Sequence, residues 1–129
     1  MLVDAFVHDG RSAALESAME DLSLEENSYL LREDWWQGET PEGEVHLVRV
    51  QLFERNEYAF WLGFSDDDAS GWIHLYDEEG QLISQKAMQK GNVSSTHLVV
   101  ESSGHYFIRV KVDSAPGPKA AWAAIYAYR

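Results

Sequence analysis

From residue 28 onward the chain is built from short segments of one kind. "SYLLREDWW", "EVHLVRVQL", "EYAFWLGF", "GWIHLYD", "QLISQKAM", "STHLVVE", "HYFIRVKV" and "AAWAAIYAY" follow one another. Each is rich in aromatic or β-branched residues, which fit a pleated, half-buried surface. Turn chemistry separates them: Pro41-Glu42-Gly43, Arg55-Asn56, Asp77 to Gly80, Gly91-Asn92, Ser102 to Gly104 and Pro116-Gly117-Pro118. Strands that recur about every ten residues, with no helical pattern between them, predict an antiparallel sandwich or barrel of about eight strands. The clearest alternation is in "SGHYFIRVKV". Residues two apart share a face of a strand. Tyr106, Ile108, Val110 and Val112 are therefore expected in the core, with Arg109 and Lys111 in water.

The N-terminal segment has a different period. In "VDAFVHDGRSAALESAMEDL", residues 3–22, Phe6, Ala14, Leu15, Ala18, Met19 and Leu22 fall at helical spacing, with acids opposite. Gly10 costs about 1 kcal/mol in mid-helix and marks a possible break. Residues 1–27 are thus expected to form an acidic helical segment packed on a β-sandwich of residues 28–129. The whole is expected to be one domain, as 129 residues suggest.

Charge divides the chain in the same way. Residues 1–44 hold twelve acids and two bases, against ten and eight in the remainder, and the net charge is −12. Such a surface repels a phosphate backbone or an anionic bilayer, so nucleic acid is not an expected partner. No stretch reaches the roughly 18 apolar residues of a membrane helix, so membrane insertion is not expected either. No basic and apolar signal-peptide pattern is present in this chain. The absence of cysteine excludes disulfides and thiolate chemistry.

Two stretches carry a family resemblance: "WIHLYDEEGQLI", residues 72–83, and "VVESSGHYFIRVKV", residues 99–112. Together they resemble the paired signatures of the bacterial pre-peptidase C-terminal (PPC) domain. That family has a strand ending in a Leu-x-Leu-Tyr-Asp-like run, an Asp-x-x-Gly turn, and a later Ser-Gly-x-Tyr-x-Ile-Arg-Val strand. The upstream strand "NEYAFWLGF" is similar as well. The resemblance covers roughly residues 44–128. It implies a jelly-roll-like β-sandwich, an extracytoplasmic (periplasmic or secreted) bacterial protein, and a non-catalytic binding role beside secreted enzymes. No protease domain accompanies it in this chain.

Catalytic motifs are missing: neither Gly-x-Ser-x-Gly nor His-Glu-x-x-His occurs. His8, His46, His74, His97 and His105 are scattered. Two readings of the residues remain. "SDDDASGWIHLYD" places Asp66, Asp68, Ser70 and Asp77 at positions one, three, five and twelve of a calcium-loop register, with Gly71 at six. Calcium is the single cofactor that the sequence suggests, and an ordinary acidic turn is the alternative. The other reading concerns aromatics. Trp72, His74 and Tyr76 share one face of a strand whose other face carries Ile73 and Leu75. Trp61 is expected to join them. An outward stripe of this kind suits a protein partner or the sugar rings of a glycan. If the N-terminal helix covers the stripe, it is core instead. The chain is thus expected to be a binding domain of unknown ligand, or a carbohydrate-binding module with a structural calcium, as a monomer or a homodimer.

Overall fold

The computed structural model describes residues 10–22 and 29–129. Among these described residues one helix, α1 (Gly10–Leu22), precedes nine strands: β1 (Leu30–Leu31), β2 (Trp36–Thr40), β3 (Val45–Leu52), β4 (Glu57–Phe64), β5 (Ser70–Tyr76), β6 (Met88–Lys90), β7 (Val93–Val99), β8 (Gly104–Ser114) and β9 (Ala120–Tyr128). All pairings are antiparallel. One sheet runs β1-β9-β4-β7-β6, with β2 also on β9. The other runs β3-β8-β5. The expected sandwich of antiparallel sheets with an N-terminal helix is what forms.

Strand parity sets the core. Tyr106, Ile108, Val110 and Val112 of β8 point inward with Ile73 and Leu75 of β5 and Val50 and Leu52 of β3. They meet Tyr58, Phe60, Leu62 and Phe64 of β4 and Trp122, Ala124 and Tyr126 of β9. The rings of Phe60 and Tyr126 stack at 5.2 Å, tilted by only 7°. Buried tyrosine and tryptophan need polar partners. The Trp122 indole accordingly donates to Thr40 Oγ1 at 3.0 Å, and the Tyr126 hydroxyl donates to Asp34 at 2.9 Å.

β4 and β9 are buried on both faces because α1 lies across their outer side. Small residues make this possible. Ala14 and Ala18 of the helix pack on Ala59, Trp61, Ile125 and Ala127. At the helix start the two backbones touch: a Cβ on Gly63 would lie 2.1 Å from the Gly10 carbonyl oxygen. The Gly10 N–H donates to Ser65 Oγ, and the Trp61 indole donates to Asp21 at 2.8 Å. The helix therefore docks on the sandwich through a Gly10, Ala14, Ala18 stripe. Of the larger residues expected on the packing face, Leu15 packs against this cluster, while Met19 is 68% exposed. Residues 3–9, with Phe6, and the Leu22 side chain lie outside the described residues. So do residues 23–27, the end of the expected N-terminal segment.

Two strand expectations need correction. Residues 28–36 do not form one strand. Leu30–Leu31 and Trp36–Thr40 are separate strands on β9, and residue 28 lies outside the described residues. "QLISQKAM" is mostly irregular, because it crosses between the sheets. The Ile83 N–H donates to the Leu75 carbonyl of one sheet, while the Gln85 N–H donates to His97 of the other.

Ile108 is wholly buried. Ile108→Ala is expected to cost about 2–5 kcal/mol in urea unfolding. A loss under about 1 kcal/mol would contradict the packing. Gly63→Ala is expected to lower the melting temperature and raise acrylamide quenching of tryptophan, because the helix must lift. Unchanged melting and quenching would show that α1 does not rest there.

Candidate binding face

The two outer faces of the sandwich differ in kind. α1 lies on that of the larger sheet; among the described residues, no element lies on that of β3-β8-β5. The register lays out this face in rows. Val45, Lys111 and Trp72 sit side by side, then Leu47, Arg109 and His74, then Arg49, Phe107 and Tyr76. Each row crosses three strands whose alternate residues fill the core, so these side chains point out. The rings of Trp72 and His74 stack at 6.5 Å and 28°. Val45, Leu47, Tyr76 and Phe107 border a shallow depression of about 450 Å³ that also takes in Arg109, with Asp77 and Glu78 at its rim.

The electrostatics of the centre stand out in so acidic a chain. Neither Arg109 nor Arg49 has a carboxylate or hydrogen-bond partner among the described residues. Lys111 only approaches Asp113, at 3.9 Å. His74, opposite Arg109, has its Nδ1 buried without a hydrogen bond. Burial and then the Arg109 charge hold its pKa below the ordinary 6.5. The arrangement offers flat aromatic surface, exposed aliphatic surface and an unneutralised guanidinium, which together suit an acidic, partly apolar partner.

Trp72, His74 and Tyr76 thus stand on one outward face, half-buried by one another and by β8. Trp61 does not join them. It belongs to the larger sheet, is 2% exposed and lies beneath α1. Its parity is outward, but its sheet is the covered one. The calcium register fails for a related reason. Ser70–Tyr76 is an extended strand, so Asp77 lies roughly 20 Å from Asp66 and Asp68 at about 3.3 Å per residue. Asp66 accepts the Asp68 N–H, and Asp77 accepts the N–H groups of Glu79 and Gln81, each closing its own turn. No group of three acids or histidines fit for a metal occurs among the described residues. Ser70 opens β5 and takes no part in a loop of ligands.

The residues that sequence reasoning missed are Val45, Leu47, Phe107 and Arg109 as members of the face. The alternation of β3 and β8 shows their direction. The pairing of β3 with β8 and β5, which brings them together, does not follow from the sequence.

No protein-family model and no curated protein matches the chain. Among solved structures, it is similar to Aeromonas hydrophila PliG, a periplasmic inhibitor of g-type lysozyme. The TM-score is 0.53 at 12% identity, over 74% of this chain and 85% of that one. At that identity the likeness is one of fold. A looser match, TM-score 0.47 at 14% identity, is to the Bacillus licheniformis lipase BlEst2 in propeptide form, over 88% of this chain and 26% of that one.

A histidine whose folded pKa is depressed is protonated first in the unfolded chain. His74 therefore takes nothing from stability well above pH 6.5 and reduces it as pH falls from there toward the folded value. In an NMR titration its ring is expected to titrate below 6.5, and Arg109→Gln to move it upward. An unshifted His74 in the wild type would contradict the buried, cation-facing position.

Proposed function

We propose that this chain is a non-catalytic binding domain that works outside the cytoplasm and docks on a protein partner through the outer face of β3-β8-β5. One observation carries the reading: a sheet face that no other element covers among the described residues sets Trp72, Tyr76, Phe107 and Leu47 around Arg109, which has no carboxylate partner among them. Aromatic residues and arginine dominate the centres of protein interfaces, where a few of them supply most of the affinity. The fold likeness to PliG supports the reading, because that protein is itself a periplasmic inhibitor that acts on an enzyme. The PPC resemblance of residues 44–128 supports it too, since such domains accompany secreted enzymes.

A g-type lysozyme is the first partner to test. Titration calorimetry is expected to show binding that falls by about 2 kcal/mol or more in Trp72→Ala and Arg109→Glu, as for central interface residues. The melting temperature of both variants should stay near the wild type. Binding that survives both substitutions in folded protein places the contact elsewhere and overturns the reading.

The stacked pair of Trp72 and His74 favours a second reading, a glycan laid on the aromatic stripe. Retention on an insoluble glycan, lost in Trp72→Ala but kept in Arg109→Glu, would select it over a protein partner.

A further inference from the structure

The sandwich has several sheet edges, and most of them are closed. β5 would expose its outer N–H groups, but Ser94 Oγ accepts from Ile73 and Ser84 Oγ accepts from Leu75. Gln89 Nε2 donates to the Gly71 carbonyl on the same edge. β6 spans only Met88–Lys90. Opposite it, the edge is broken into β1 and β2, with four residues between. Short, interrupted and side-chain-capped edges are the usual protections against strand addition.

β3 has none of these. It runs unbroken from Val45 to Leu52 and pairs with β8 on one side only. The Val112 N–H donates to the Glu44 carbonyl, so even-numbered residues turn their backbone toward β8. Val45, Leu47, Arg49 and Gln51 therefore turn theirs to the free side. Among the described residues, no backbone group bonds to them there. The strand also carries apolar side chains into water: Val45 is 41% exposed, Leu47 58% and Phe53, just past the strand, 50%.

We propose that β3 pairs antiparallel with β3 of a second copy, joining the two three-stranded sheets into one six-stranded sheet. The twofold axis passes through Val48. Leu47 then lies opposite Arg49, and Val45 opposite Gln51. All four outward-facing residues of each copy exchange backbone bonds, which a register centred on Leu47 does not achieve. On the inner side Val48 meets Val48 and His46 meets Val50.

Charge selects a second copy as the occupant. The chain carries −12, yet within Val45–Leu52 the one formal charge is Arg49. In this register Arg49 faces leucine, and no like charges stand opposite each other. Closure does so too: the pairing uses the open edge of both copies and leaves closed edges outside, so assembly stops at a dimer. The binding face described above stays open, because edge pairing adds chain beside it and not over it.

The test is sedimentation equilibrium on the full chain from micromolar to submillimolar concentration, with amide exchange read by NMR. A dimer is expected, with slow exchange at Leu47, Arg49 and Gln51. Arg49→Pro removes an outward N–H that the fold itself does not use, a position where an edge strand tolerates proline. Val45→Lys with Leu47→Lys keeps the backbone and adds charge to the edge. Both variants are expected to be monomeric with wild-type circular dichroism. A wild type that stays monomeric throughout overturns the proposal. So does a dimer that persists in either variant while it remains folded.

Discussion

The contact between the backbones of Gly10 and Gly63 organises the rest of this molecule. Two peptide chains approach so closely there that neither position has space for a Cβ. At that closest approach the helix presents Ala14 and Ala18, with Leu15 packed at the side and Met19 in water. β9 supplies Ala121, Ala123 and Ala127 along its outer face, beside its own larger Ile125 and Trp61 of β4. The helix thereby lies over one face of the sandwich, with Glu16 and Glu20 exposed and Asp21 turned to the Trp61 indole. Its own hydrogen bonding is completed by the sheet, through Ser65 at the start and Trp61 with Asp21 near the end. A 13-residue helix is marginal alone in water, so this docking is what sustains it.

Sealing one face decides the character of the other. Among the described residues no helix covers the three-stranded sheet, and its outer side chains are correspondingly mixed. Aromatics lean on neighbouring strands, aliphatics stand half in water, and cations cluster in a chain otherwise rich in carboxylates. An arginine with no carboxylate partner among the described residues is unexpected where acids outnumber bases 22 to 10. Its position at the middle of the face, beside a His74 whose pKa burial and the Arg109 charge hold below 6.5, sets a cation at the centre of that face.

The alternation in "HYFIRVKV" and "GWIHLYD" made the inner and outer sides of β8 and β5 legible, because a strand buried on one face must alternate. The direction of Trp72, His74 and Tyr76 was legible for the same reason. Trp61 was not, since parity tells which way a side chain points within its own sheet but not which sheet it belongs to. The spacing of Asp66, Asp68 and Asp77 misled because a ligand register assumes a loop, and β5 stretches that spacing to a straight line. The helix was legible as a helix, and Ala14, Leu15 and Ala18 of its expected face do pack on the sheet, while Met19 stands in water. Gly10, read as a break, is the point of closest contact. The "QLISQKAM" segment has strand composition, but it crosses between the sheets with only Ile83 and Ala87 packed inward, while Leu82 and Met88 stand in water.

The two faces of one sandwich thus differ, the first closed by α1 and the second open among the described residues. Hydroxyl-radical footprinting of the free protein, read residue by residue by mass spectrometry, tests it without any partner. The account predicts rapid oxidation at Trp72, Tyr76, Phe107 and Leu47, with Trp61 and Ile125 protected. Oxidation of Trp61 at a rate equal to that of Trp72 would contradict it.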